Sequence, residues 1–145
     1  MEYSHMKIER LDRVAIGVKN LTEATRFFSD LLGTDFYNVG VVNLSRGVSI
    51  RVAICPLGLE LLEQVAPPVK VEELRSFHFK VSDLDEAKTE MEGKGFHPDS
   101  EVQLGRLKQV AYNVHGIRLL LVEYDAPDVV AAIRNTKLHN EESLP

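Results

Sequence analysis

A repeat of one strand and helix unit is the feature that most constrains the fold of this chain. The phrase around Val18 returns around Val81, 63 residues later. The positions that agree at this single offset are Val18 with Val81, Asn20 with Asp83, Leu21 with Leu84, Glu23 with Glu86 and Ala24 with Ala87. Chance rarely supplies such agreement in a short chain, and an internal repeat is typical of a duplicated architecture. The repeat therefore predicts a fold of two similar halves.

Each repeat contains the start of a helix. Asn20 is followed three positions later by glutamate, as is Asp83, which is the spacing of a capped helix N-terminus. The first helix is predicted to end at Gly33, and the second at Gly93 or Gly95. The first helix carries an apolar stripe that we expect to lie on the sheet: Ala24, Phe27, Phe28, Leu31 and Leu32. The weaker stripe of the second helix is formed by Leu84, Ala87 and Met91.

Three further strands are predicted after the helix in each half. Alternating and β-branched residues place them at about 36–43, 48–55 and 59–64, and then at about 101–104, 108–113 and 118–124. With the opening strand of each repeat, the order βαβββ occurs twice.

The prolines at 67 and 68 interrupt the chain between the two halves. We therefore predict a single domain at 7–125, with module one at 7–64, a linker at 65–73 and module two at 74–125. Residues 126–145 are predicted to form a short C-terminal helix and a polar tail that begins at Asn135. We expect the helix, with Val129, Val130 and Ile133 on one side, to cover a sheet edge or to pack on a second subunit.

Composition excludes several classes of partner. The chain has 145 residues, 44% of them hydrophobic, which suffices for one ordinary core. Its net charge of −5 argues against nucleic acid, because binding to phosphates needs a basic surface. The single cysteine excludes an internal disulfide framework. No signal-like or membrane-length apolar stretch is present, so we expect a soluble cytoplasmic protein without a membrane partner.

Four segments resemble the vicinal oxygen chelate superfamily: residues 12–18 (DRVAIGV), 47–54 (GVSIRVAI), 56–63 (PLGLELLE) and 116–124 (GIRLLLVEY). That superfamily includes glyoxalase I, extradiol dioxygenases, fosfomycin and bleomycin resistance proteins, and methylmalonyl-CoA epimerase. The first half is most similar to the epimerase branch. The resemblance implies an α+β fold in which two βαβββ modules form a curved mixed sheet around a cleft, with the helices on the outer face. It also implies a homodimer.

The resemblance implies a position for a metal ion, but the residues there are unsuited to it. In the superfamily, the first and last strands of each module each supply one ligand; the corresponding residues are Arg13 and Glu60 in module one, and Ser76 and Leu120 in module two. A guanidinium stays protonated and has no lone pair to donate, and leucine has no donor atom. Glu60 with Ser76 falls short of the ligand sets that zinc and other divalent ions require. We predict no metal ion and no other cofactor.

Strand alternation predicts which side chains face the cleft. The inward set is Arg13, Ala15, Gly17, Glu60, Leu62, Ser76, His78, Lys80, Arg118, Leu120 and Val122, and the set that faces the helices is Val14, Ile16, Val18, Phe77, Phe79 and Val81. We expect a direct ion pair between Arg13 and Glu60, since each neutralises a charge that is costly to enclose. Two interpretations stay open: the pair merely fills a disused site, or Arg13 holds an oxygen of a ligand that a metal ion would have chelated.

His78 also has more than one interpretation. It lies two positions beyond Ser76 on the inward face, and a lining residue is favoured over a general base or a ligand of a displaced ion.

Two functions follow from these residues. The first is a metal-free protein that binds or sequesters a small anionic or carbonyl-containing molecule, for which the predicted ligand-binding residues are Arg13, Ser76, Lys80, Leu62, Arg118, Leu120 and Val122. The second is an epimerase, isomerase or lyase that abstracts a proton next to a carbonyl, with Arg13 in place of the metal ion and Glu60 or His78 as the catalytic base. A pair with Arg13 makes Glu60 a poor base, and the developing oxyanion would lack a metal ion. We therefore place binding first.

Overall fold

A single mixed sheet of eight strands forms the body of the protein, in a computed structural model that describes residues 6–134. The strands are β1 (Ile8–Gly17), β2 (Tyr37–Asn43), β3 (Ser49–Cys55), β4 (Leu59–Ala66), β5 (Glu73–Val81), β6 (Ser100–Leu104), β7 (Leu107–Val114) and β8 (Ile117–Glu123). The helices are α1 (Leu21–Leu32), α2 (Leu84–Gly93) and α3 (Val129–Ile133). The predicted strands are confirmed, with ends that differ by one or two residues.

The spatial order of the strands is β2-β3-β4-β1-β5-β8-β7-β6, and the sheet curls strongly into a half-barrel. Each repeat supplies four neighbouring strands. The first strand of each repeat pairs in parallel with its own last strand, and the two first strands pair antiparallel at the centre. The predicted α+β class, with two βαβββ repeats in one curved sheet, is confirmed.

Local signals explain where the two long helices begin and end. The side chain of Asn20 accepts a hydrogen bond from the Glu23 backbone amide, and Asp83 does the same for Glu86. Gly33 ends α1 with a φ of 64°, which only glycine adopts without strain. Both predicted helix starts and the end of α1 are confirmed.

A second interaction at these helix starts repeats in both halves. The carboxylate of Glu63 accepts a hydrogen bond of 2.8 Å from the Leu21 backbone amide, and Glu123 accepts one of 2.7 Å from Leu84. Each carboxylate comes from the last strand of its repeat. It therefore ties the helix N-terminus to the sheet, where the helix dipole favours a negative charge.

The predicted apolar stripe of α1 is only partly covered by the sheet. Phe28 and Ala24 pack against a core cluster on the outer face, but Phe27 is 60% and Leu31 62% exposed, and Leu32 is also exposed. The prediction that the whole stripe lies on the sheet is wrong, because the curled sheet meets the helix along a narrower contact than the apolar face provides.

Helix α3 lies on the concave face of the sheet, where it contacts β3 and β7. Its core cluster also includes Val39 and Val42 of β2, and Leu104 of β6 packs against it, so the helix reaches towards both edge strands, and the expectation that it covers a sheet edge stays a prediction. Its buried side chains Val129, Val130 and Ile133 join the cluster that fills this part of the half-barrel. The predicted polar tail lies outside the described residues. Within residues 6–134, no helix is long and apolar enough to cross a membrane.

Candidate functional site

The register of the central strands shows that the four expected metal positions are equivalent in the two repeats. Ala15 on β1 pairs with Glu60 on β4, and His78 on β5 pairs with Leu120 on β8. Glu60 and Leu120 therefore occupy matching places. The residues two positions before Ala15 and His78 match as well, and these are Arg13 and Ser76.

Arg13 has partners for all three of its nitrogen atoms. Nε donates to Glu60 Oε1 at 2.7 Å, which is the ion pair expected from the sequence. Nη1 donates to Asp12 Oδ2 at 3.1 Å, and Nη2 donates to Gln109 Oε1 at 2.9 Å. The residue is only 3% exposed. The guanidinium is thus enclosed, neutralised and already occupied.

These residues do not fit a divalent ion. The Arg13 guanidinium occupies one expected ligand position and binds Glu60, the only carboxylate among the four. Leu120 offers no donor. Within the described part of the chain, no group of three or more His, Cys, Asp or Glu side chains is arranged to hold a metal ion. A cation placed here would face a fixed positive charge and a single carboxylate that is already paired.

His78 is a buried histidine beside this ion pair. It is 2% exposed, and its Nε2 shares a hydrogen bond of 2.9 Å with Ser76 Oγ. Its Nδ1 is buried and has no hydrogen-bond partner among the described residues. Burial, followed by the positive charges of Arg13 and Arg118, holds the pKa of His78 well below its usual value of 6.5. The imidazole is therefore neutral near pH 7.

A cavity of about 190 Å³ lies between the two repeats on the concave face. The predicted site residues that line it are Glu60, Leu62, Ser76, His78, Arg118 and Leu120. Arg13 lines an adjoining space of about 50 Å³, which Ile133 of α3 also lines. The wall is a mixture of aliphatic and polar groups, as in many ligand sites.

Two predicted ligand-binding residues, Val122 and Lys80, line neither of these two spaces. Val122 is fully buried in the cluster that includes α3. Lys80 is 7% exposed, its Nζ donates to Glu9 Oε1 at 2.9 Å, and it lies 4.8 Å from the centroid of the Tyr124 ring. Their ligand-binding role has no support from this geometry, because Val122 is packed in the core and the Lys80 ammonium is already engaged.

Several polar residues near the site were not predicted. Gln109 and Ser100 line the cavity, and Asp12 binds Arg13. Asp12 lies where the pairing of β1 with β5 shifts register between Leu11 and Arg13, so simple alternation misplaces it. Its Oδ1 accepts a short hydrogen bond from the Tyr124 hydroxyl. Burial, and then Asp12, raise the pKa of that hydroxyl.

Arg75 is a further unpredicted residue that lines the cavity, and it carries a charge. Alternation along β5 places it opposite to Ser76 and His78, on the side of the helices. A shift in the pairing of β5 with β1 turns the Arg75 side chain towards the cavity. The sequence of β5 alone gives no sign of this shift.

Comparison with solved structures finds the same architecture in epimerases. Methylmalonyl-CoA epimerase from Mycobacterium tuberculosis matches with a TM-score of 0.67 and 17% sequence identity, over 86% of this chain and 94% of that chain. A variant of Streptomyces coelicolor methylmalonyl-CoA epimerase, in complex with 2-nitronate-propionyl-CoA, matches with a TM-score of 0.63 and 20% identity, over 84% and 99% of the two chains. A hypothetical protein from Bacillus halodurans matches with a TM-score of 0.60 and 19% identity, over 81% and 95%.

The chain has the vicinal oxygen chelate fold. The resemblance stated from the sequence is confirmed for the fold, and structures of epimerases are among those that share it. No protein-family model and no curated protein matches the sequence. Since one fold supports many chemistries, the site residues must carry the functional argument.

Proposed function

We propose that the protein binds or sequesters a small anionic or carbonyl-containing molecule in the cavity between its two repeats, without a metal ion. The observation that carries this proposal is the Arg13–Glu60 ion pair of 2.7 Å at the position expected for metal ligands. Because this pair occupies two of the four expected ligand positions, the site lacks the donors to chelate a cation. It leaves beside it a cavity lined by aliphatic groups, hydroxyl groups and guanidinium groups.

The size of the cavity limits the ligand. Pockets for drug-sized molecules usually measure about 300 to 1,000 Å³. The volume here is about 190 Å³, which suits a short acid or the acyl part of a larger molecule. The Streptomyces epimerase carries a propionyl-CoA derivative on this fold, so acyl thioesters belong among the compounds to be tested.

Proton abstraction next to a carbonyl is less well supported. Glu60 is held by Arg13, and a neutral His78 with a lowered pKa is a weak base. The developing oxyanion needs donors worth several kcal/mol. The Arg13 donors that would serve are already bound to Glu60, Asp12 and Gln109.

Two measurements test the proposed function together. Metal analysis of protein purified without chelator is expected to find far less than one transition ion per chain. A thermal-shift screen of α-keto acids, acyl-CoA thioesters and aromatic natural products is expected to find at least one stabilising compound. Stoichiometric zinc, nickel, cobalt, manganese or iron would overturn the metal-free assignment.

A cavity-filling variant locates the binding. Ala111 lines the cavity and is 1% exposed, so Ala111→Leu should abolish the ligand-induced shift. Ala24→Leu makes the same chemical change on α1, outside the cavity, and should preserve it. Each variant is compared with its own ligand-free melting temperature. An undiminished shift in Ala111→Leu would place the ligand elsewhere.

A further inference from the structure

We infer that Arg75 is the anion-binding residue of this cavity and that the ligand carries a carboxylate group. This inference rests on the proposed function and names both the chemical class of the ligand and the residue that recognises it. Arg13 was the residue expected to bind the anion, but its nitrogen atoms already bind Glu60, Asp12 and Gln109. Arg75 takes this role instead, although strand alternation predicts that its side chain faces away from the cleft.

A β-bulge brings Arg75 to the cavity. Ala15 on β1 pairs with Ser76, whereas the next residue, Ile16, pairs with Leu74. Arg75 is therefore the extra residue on β5, without a partner on β1. Bulges re-aim side chains in this way and are frequent beside functional sites. Arg75 consequently lines the same cavity as Ser76, its immediate neighbour on the strand.

Gly17 provides the room for this side chain. A Cβ atom built at Gly17 would lie 3.3 Å from both Cγ and Cδ of Arg75. That separation is closer than a relaxed carbon contact, which is about 3.5 to 4.0 Å. The absence of a side chain at Gly17 thus allows the aliphatic stem of Arg75 to pass along β1 towards the cavity.

Arg75 has a charge that the fold does not neutralise. Arg13 pairs with Glu60 at 2.7 Å, and Arg118 pairs with Asp99 at 2.8 Å. Arg75 forms no ion pair with any residue between 6 and 134. Of the three guanidinium groups at the two adjoining cavities, it alone is free to bind an external anion.

His78 supplies an independent sign of a missing ligand. Buried polar atoms in folded proteins nearly always have a hydrogen-bond partner. The Gln109 amide, whose oxygen already accepts from Arg13, lies close enough to interact with the His78 ring, but no described residue meets hydrogen-bond geometry at Nδ1, although His78 is 2% exposed and lines the cavity. When Ser76 donates its hydroxyl hydrogen to Nε2, the neutral ring carries its proton on Nδ1 and offers it to an acceptor.

A carboxylate satisfies both groups. It is planar, it matches the fork of a guanidinium, and it has oxygen lone pairs left to accept from an imidazole N–H. Burial first, and then Arg13 and Arg118, lower the pKa of His78, so the ring stays neutral near pH 7 and keeps one N–H to donate to the carboxylate. The small volume of the cavity favours a compact planar anion over a bulkier tetrahedral one.

The test is a calorimetric titration with defined probes. The acids are propionate and 2-oxobutyrate, the neutral counterparts are propionamide and methyl 2-oxobutyrate, and the tetrahedral anion is inorganic phosphate. Arg75→Gln is expected to weaken acid binding roughly tenfold to a hundredfold, the loss of one charge-assisted hydrogen bond. Binding of the neutral probes should change little. The control, Arg26→Gln, removes an exposed charge from α1 and should preserve acid binding.

A second variant keeps the charge but moves it. Gly17→Ala places a methyl group against the stem of Arg75 and should weaken acid binding several-fold without altering the net charge. Circular dichroism and melting temperature establish that both variants are folded.

The outcomes separate this inference from the proposed function. Equal affinity of the wild type and Arg75→Gln for the acids would overturn the role of Arg75 and leave ligand binding in the cavity intact. Tighter binding of phosphate than of either acid would overturn the carboxylate assignment. Suppose that a larger compound from the thermal-shift screen binds to the wild type, but no acid, neutral probe or phosphate does. In that case this inference fails and the proposed function stands. If no compound binds at all, both fail.

Discussion

His78 is an imidazole enclosed beside positive charges, and its protonation is therefore linked to folding. Its pKa is held well below 6.5 in the folded chain by burial first and by Arg13 and Arg118 next. The unfolded chain takes up the proton near pH 6.5. As the pH falls below 6.5, the unfolded state binds more protons than the folded state, so the folded state loses stability until the pH reaches the folded pKa.

Substituting His78 should flatten this dependence. We expect the free energy of unfolding of the wild type to fall by roughly 1 kcal/mol between pH 7.5 and 5.5, since full coupling gives about 1.4 kcal/mol per pH unit. His78→Gln should lose much less over the same interval. Urea denaturation at the two pH values measures both.

The control for this prediction is His97→Gln, a change at an exposed histidine. It should retain the fall in stability of the wild type. An equally steep fall in His78→Gln would show that other groups are responsible.

At the scale of elements, helix boundaries follow from local residues, whereas helix contacts do not. Asn20 and Gly33 act within their own turn of the chain, and both ends of α1 were predicted correctly. The exposure of Phe27 and Leu31 depends on how far the sheet curls beneath the helix. The curvature of the sheet depends on all eight strands together, so it cannot be predicted from the sequence of any single segment.

Glu63 gives a prediction at this scale. Its pKa lies below its ordinary value of 4.5, chiefly because of the hydrogen bond from the Leu21 amide and also because of Lys70. Its contribution to stability is therefore present above pH 4.5 and is lost as the pH falls through the folded value. Glu63→Gln should lower the free energy of unfolding by about 0.5 to 1 kcal/mol at pH 7, the usual value of a charge at a helix N-terminus.

Chemical denaturation at pH 7 and pH 3 tests this expectation. The difference between Glu63→Gln and the wild type should shrink from pH 7 to pH 3, because acid favours the protonated carboxyl group over the charged one. Glu92→Gln, at an exposed position of α2, should differ little from the wild type at either pH. A difference of the same size at both pH values would mean that the variant disturbs packing and not a charge.

At the scale of the whole molecule, the central feature is the pseudo-symmetric arrangement of four side chains from two repeats. Strand register places Glu60 and Leu120 in matching places, as it does Arg13 and Ser76. The same scaffold should therefore regain metal affinity when donors are restored. Arg13→His, Ser76→His and Leu120→Glu together, with the native Glu60, provide two imidazoles and two carboxylates.

Titration of this triple variant with Zn²⁺, Co²⁺ and Ni²⁺ should show one site per chain. The control carries Leu120→Gln instead of Leu120→Glu and should bind more weakly, because it lacks one charged donor. A folded triple variant with no affinity for any of these ions would show that the four positions do not converge.

The homodimer and the cytoplasmic location expected from the sequence stay predictions at this scale. Sedimentation velocity distinguishes a dimer from a monomer directly.

The amino-acid sequence by itself determined the duplicated βαβββ order, the helix starts and the chemical types at the expected metal positions. The repeat and the helix starts follow from local spacing, whereas the metal positions and the expected pairing of Arg13 with Glu60 follow from the family resemblance together with side-chain chemistry. Only the tertiary structure decided the shape and charge of the cavity. The bulge at Arg75, the approach of Gln109 to Arg13 and the seating of α3 on the concave face arise from strand register and sheet curvature, which contacts between distant segments set together.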